Sequence, residues 1–233
     1  MKFRTLLTVS LLMLSTNLFA QPIFNLFELG VKNESRYNRI GAKNIEQSLA
    51  AEQGTLAMYS VRKADDGLHY MVEIYADEQA YQIHLQSPQY KAFLNAAPEI
   101  LTDHKLKIAL NPQFLGDKKI IPTAETITNL VMVDVKPEFA GAFKKIVTEE
   151  MRQSLAVEPN VLAMYAATVA DNPNRWMFFE IYTNDKAYRL HRQTPHFQAY
   201  LINTAQMSAD KRFIAVEPVM LKNKGNLNFL FNN

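Results

Sequence analysis

The chain has no cysteine among its 233 residues. That excludes disulfides, thiolate metal ligands and a lipid attachment site. Only 7 residues are glycine, and no Gly-rich strand–turn–helix stretch is present to cradle a nucleotide or a flavin. A G-x-S-x-G nucleophile elbow is missing, as are H-x-x-H and H-E-x-x-H, and the five histidines are scattered without clustered acids. The sequence therefore predicts no zinc or iron site and no other cofactor. An excess of one charge is also lacking, with 25 Lys and Arg against 23 Asp and Glu. With no basic stripe and no interleaved aromatic–arginine patch, a nucleic acid is not the expected partner. A small hydrophobic or aromatic ligand is.

What is present begins with a leader. MKFR supplies a positive start, TLLTVSLLML an apolar run, and STNLFA ends in a small residue at Ala20, which predicts a cleavable signal peptide over residues 1–20. The run is short for a bilayer and Asn17 interrupts it, so no stable membrane anchor is expected after cleavage. The expected location is the periplasm. Removing Lys2 and Arg4 leaves 23 basic and 23 acidic side chains.

The remaining chain says most things twice. QSLA at 47–50 returns at 153–156, LAMY at 56–59 at 162–165, and EIY at 73–75 at 180–182. HLQSPQYKAF at 84–93 returns as HRQTPHFQAY at 191–200. A repeat of about 100 residues is far longer than a solenoid unit and signals duplicated domains. The predicted division is 21–117 for the first domain, 118–128 for a linker, 129–225 for the second domain and 226–233 for a tail.

Hydrophobic periodicity changes in the same order in both copies. FNLFELGV and NLVMVDV read as strands. Tyr37, Ile40, Ile45 and Leu49, or Phe139, Phe143, Ile146, Met151 and Leu155, then mark a helix face. Two β-rich runs follow, joined by ADDG or ADNPN. Asp77 and Thr183 or Asn184 are positioned to cap a short helix, and Ser87-Pro88 or Thr194-Pro195 to start another. The last strands are KLKIALNPQF and RFIAVEPVML. The result is an α+β protein with two tandem ferredoxin-like (βαββαβ) repeats, able to close on each other as a pseudo-dimer in one chain, with or without a further homodimer.

His84 and His191 are repeat-equivalent and suit proton transfer near neutral pH; the alternative is a helix-end histidine that holds the bend. His196 occurs only in the second copy, where the first has Gln89. Glu73 and Glu180 share a strand face with Tyr75 and Tyr182. Each carboxylate is costly among apolar neighbours unless it pairs with an adjacent strand or lies in a wet pocket. Tyr59, Tyr165 and Trp176 read as core or pocket wall.

The order EIY, a short gap, Ala-Tyr, then HRQTPHFQAY resembles the antibiotic biosynthesis monooxygenase (ABM) family, well over about 128–222 and more loosely over 23–117. The resemblance implies an intrachain dimeric α+β barrel, with one pocket per half between sheet and helices. It also implies cofactor-independent monooxygenation of a quinol or related phenol, whose anion reacts directly with dioxygen. On that reading His191 is the base, with His84 its counterpart, and Glu180 or Tyr182 orients it or the substrate. Tyr165, Trp176, His196, Phe197, Tyr59 and Tyr75 complete the substrate-binding set. The alternative is a non-catalytic periplasmic binder. Haem degradation is the weaker option, since Leu94 and Leu201 stand where haem-degrading relatives place a histidine.

Overall fold

The computed structural model describes residues 21–231; the expected leader lies outside them. Each half runs strand, helix, hairpin, broken helix, strand. The first comprises β1 (Ile23–Val31), α1 (Glu34–Ala51), β2 (Thr55–Lys63), β3 (His69–Tyr75), α2 (Glu78–Gln86), α3 (Pro88–Ile100) and β4 (Leu101–Asp117). The second comprises β5 (Ile127–Val135), α4 (Ala140–Val157), β6 (Val161–Val169), β7 (Asn172–Tyr182), α5 (Asp185–His191), α6 (Pro195–Thr204) and a last strand in two pieces, β8 (Ser208–Ile214) and β9 (Val216–Asn223). Among the described residues no helix is long and apolar enough to cross a membrane.

The helix breaks arise from local chemistry. Asp77 accepts from the Ala80 amide at 2.7 Å and Asn184 from the Ala187 amide at 2.8 Å, each starting its short helix. Ser87 and Thr194 cap the following helices through the amides of Tyr90 and Phe197, both at 3.3 Å. Pro88 and Pro195 occupy the first helical turn, where a missing N–H costs nothing.

The strands form one sheet in the order β8-β5-β7-β6-β4-β1-β3-β2-β9. Because β8 and β9 are consecutive pieces parted only at Ala215, the two ends of that order belong to one strand, and the sheet closes into a barrel. Closure depends on exchange between the halves. β4 pairs first with β1 and then crosses to β6, while β9 leaves its own half to pair with β2. The crossing on β4 falls at Pro112, where the register shifts before Phe114, and Pro218 stands at the corresponding shift on β9. Proline gives no ladder hydrogen bond and so fits a bulge in both strands. The stretch after the second domain contributes β10 (Asn228–Leu230), which pairs with β4, and β5 begins inside the expected linker.

Strand alternation divides the side chains between two environments. Tyr59, Val61, Val72, Ile74, Leu115, Tyr165, Phe179 and Leu221 point into the barrel and form its core. Residues in the alternate positions face the helices. At the centre the Tyr59 and Tyr165 hydroxyls lie 2.7 Å apart, Tyr165 donates to Asp117 Oδ2 at 2.6 Å, and the Leu227 amide donates to Asp117 Oδ1 at 2.9 Å. Burial raises the Asp117 pKa, partly offset by these bonds. Of the two readings of Tyr59 and Tyr165, core and substrate-binding wall, the structure takes the core: both are fully buried between the halves, on the opposite face of the sheet from the helices.

Candidate functional site

In the first half, the helix-facing residues of β3 are His69, Met71, Glu73 and Tyr75. Above them α1 and α3 leave a largely apolar cavity of about 300 Å³. Phe27, Tyr37, Met71 and Phe93 line it, with Asn38, Asn44, Ser60, Glu73 and Lys105 among its polar groups. Met220 of β9 closes one side, so a strand from the second repeat completes the site in the first. Glu73 is 6 % exposed and accepts from the Tyr75 hydroxyl at 2.8 Å. Burial pushes its pKa up, opposed by nearby His84, Tyr75 and Lys107. Burial also pushes Tyr37 up to about 12, so its phenol stays neutral and available as a donor. A buried carboxyl with a raised pKa facing an apolar chamber is suited to exchanging a proton with a bound ligand.

The second half has the same layout but little space. Its corresponding cavity, beside Glu180, Glu150, Phe197 and Tyr200, measures about 70 Å³. Strand registers show why. Phe178 stands where the first half has Met71, Trp176 where it has His69, and Phe114 where it has Met220. Phe143 meets Trp176 edge-on at 5.2 Å, and Trp176 stacks on Phe178 at 5.8 Å. Larger aromatic side chains fill what is open in the other half.

Both repeat-equivalent histidines sit one layer away from these cavities, under the helix break. His84 is fully buried between Tyr75 and Tyr90, with Nδ1 3.1 Å from Glu52 Oε2 and 3.3 Å from Ser48 Oγ. His191 is packed against Tyr182 and Phe197, with Nδ1 3.0 Å from Glu158 Oε1. The partner of each is the C-cap residue that directly follows the long helix in its half. Burial opposes ionisation of Glu52 and Glu158, but the bonds from His84 to one and from His191 and His196 to the other prevail, so both pKa values fall. His196 shares Glu158 at 2.7 Å; in the first half Gln89 fills that place, donating to Glu52.

The structure thus separates residues that the sequence reading grouped. Glu180 borders the small cavity and accepts from Tyr182 at 2.9 Å, as Glu73 does from Tyr75. Phe197 lines that cavity; His191, His196, Tyr182 and Trp176 do not. Leu94 lines the large cavity, which receives no imidazole from α3. Sequence reasoning missed Glu52, Glu158 and Glu150, and treated Glu158 only as part of a helix stop. The signal was available, because the repeats QSLAAE and QSLAVE share their final glutamate.

A closed barrel made by strand exchange between two ferredoxin-like units, with a cavity between sheet and helices, defines a dimeric α+β-barrel protein contained in one chain. The family model described as antibiotic biosynthesis monooxygenase matches residues 27–96 and 126–201, and the chain belongs to that family. A solved structure of a candidate monooxygenase from Lactobacillus acidophilus NCFM is similar at 30 % identity and a TM-score of 0.85, covering 89 % of this chain and 99 % of that one. A second, from Fusobacterium nucleatum subsp. nucleatum, shows 28 % identity and a TM-score of 0.86, covering 92 % and 100 %. An anthrone oxidase-like protein at 12 % identity and a TM-score of 0.55, covering 88 % and 94 %, shares the fold. No curated protein matches the chain.

Proposed function

We propose that the protein is a periplasmic, cofactor-independent monooxygenase acting on a quinol or related phenol, and that the chemistry takes place in the first-half cavity. The observation that carries this reading is the largely apolar chamber with a single carboxyl, Glu73, buried in its wall. Dioxygen in its triplet ground state reacts slowly with closed-shell molecules, so the substrate must become an electron-rich anion. Glu73 takes the hydroxyl proton. Asn44, Ser60 and the neutral Tyr37 phenol offer hydrogen bonds to the charge that develops. The anion gives an electron to dioxygen, and the resulting pair joins at a ring carbon. That carbon loses its hydrogen, one oxygen atom stays as the carbonyl of a quinone, and the other leaves as water. Phenol and dioxygen therefore become quinone and water, with no outside reductant.

Oxygen uptake by residues 21–233 against a panel of benzo- and naphthoquinols tests the reading. Uptake above the autoxidation blank, lost in Glu73→Gln and retained in Glu180→Gln, is expected. Saturable quinol binding with no uptake above the blank overturns it and leaves a ligand-binding protein. The periplasmic part is tested separately, by fractionation and by an exported chain that begins at Gln21.

A further inference from the structure

We propose that the second half binds a divalent first-row transition-metal ion through His191, His196 and Glu150, with Glu158 orienting the imidazoles. Glu150 comes from α4, while His191 ends α5 and His196 lies in the first turn of α6, on either side of the helix break. One ligand atom from each lies within 4.8 Å of the others. His191 Nδ1 is 3.0 Å from Glu158, which leaves Nε2 on the other side of the ring, facing Glu150 Oε1 at 3.9 Å. Metal–ligand bonds of about 2.0–2.2 Å at a tetrahedral angle set two ligand atoms about 3.3–3.6 Å apart, so this gap has to close by only a few tenths of an ångström around an ion. A carboxylate on the remote nitrogen of a ligating histidine is the usual means of fixing the ring and its tautomer. Two imidazoles and a carboxylate suit zinc, cobalt or iron(II), and do not suit calcium or magnesium.

Comparison of the repeats supplies an independent argument. Ser48, Glu52 and His84 of the first half return as Ser154, Glu158 and His191, so the joint beneath the helix break needs only these three. Two positions around them differ, and both differ toward metal ligation: Asn44 becomes Glu150, and Gln89 becomes His196. In the first half these amides are buried and Gln89 donates to Glu52, so that half is complete without an ion. In the second half Glu150 is 6 % exposed and its hydrogen bond comes from the neutral Ser154 hydroxyl at 2.6 Å; among the described residues no cationic side chain is in ion-pair contact with it apart from the distant edge of His191. His196 stands in the first turn of α6, with its imidazole 8 % exposed.

Titration of the metal-stripped protein, residues 21–233, with Zn²⁺ by calorimetry and with Co²⁺ by visible absorption tests the site. His196→Gln and Glu150→Asn install the residues that the first half already uses in the same surroundings, so both variants are expected to fold. One equivalent of metal is expected to bind the parent protein. Either variant is expected to weaken binding at least 100-fold and abolish the Co²⁺ bands, while Glu158→Gln weakens it about 10–100-fold through loss of orientation. His104→Ala, which removes the surface histidine paired with Glu28, is expected to change nothing. Absence of saturable binding, undiminished binding in His196→Gln and Glu150→Asn, or loss in His104→Ala overturns the proposal. None of these readouts depends on oxygenase activity.

Discussion

Glu52 lies 3.1 Å from Nδ1 of His84, and Glu158 repeats the contact with His191 at 3.0 Å, so each half fastens the end of its long helix to the break between its two short ones. A buried carboxylate that loses such a partner retains its desolvation cost. His84→Ala is therefore expected to lower unfolding stability by about 1–3 kcal/mol. Because His84 lies outside the cavity wall, oxygen uptake per folded molecule should persist at high pH, with its acid-side inflection moved upward because a group that holds the Glu73 pKa down is gone. Urea denaturation alongside uptake measures both quantities, and full stability with abolished uptake would place His84 in the chemistry.

Glu73→Gln is expected to show the opposite pattern, with stability retained and uptake lost. In the parent protein the raised Glu73 pKa also predicts a pH profile. As a base Glu73 works only when ionised, so kcat/KM should fall as pH drops through an inflection above the ordinary carboxyl range. The variant should lack that inflection.

Stability should follow pH with opposite signs for the two first-half glutamates. Glu73, whose folded pKa is raised, holds its proton while the unfolded chain ionises; its contribution is present below the unfolded carboxyl pKa and is lost as pH rises toward the folded value. Glu52, whose folded pKa is lowered, contributes stability above the unfolded value, and this is lost as pH falls through the folded one. Denaturation midpoints of Glu73→Gln and Glu52→Gln across pH 3–8 (roughly the span between acid and neutral limits) should remove the alkaline and acid slopes respectively.

Met71→Phe copies into the first half the residue that helps fill the second. It is expected to shrink the 300 Å³ cavity and reduce quinol binding and uptake together. Unfolding stability should hold, because the added atoms enter open space. Quenching titrations with a quinone product, set beside melting curves, distinguish a blocked chamber from a damaged fold.

Tyr165→Phe removes a donor to Asp117 inside the barrel. A loss of about 1–3 kcal/mol is expected because Oδ2 loses its donor while the Leu227 amide still holds Oδ1, with quinol binding unchanged. A change in substrate affinity instead would return Tyr165 to the site.

Much of the fold was legible in the chain because it rests on local rules. Ser87-Pro88 and Thr194-Pro195 announce helix starts wherever they occur, and the alternation in EIY assigns Glu73 and Tyr75 to one face without reference to the rest of the molecule. The two cap aspartate and asparagine side chains, Asp77 and Asn184, were equally local. The site was legible only in part. Its composition could be guessed, but which face of β2 looks into the barrel depends on β9 arriving from 160 residues away in sequence (about that separation, as a long-range contact rather than a local one).

By itself, then, the sequence determined the duplication, the βαββαβ order and the helix breaks, since turn chemistry and hydrophobic period act over a few residues. Tertiary structure alone decided that Tyr59 and Tyr165 join the halves, that Met71 leaves a chamber where Phe178 fills one, and that Glu150, His191 and His196 meet. Those outcomes depend on strand exchange and on the volumes of side chains brought together from both repeats, and no local pattern encodes them.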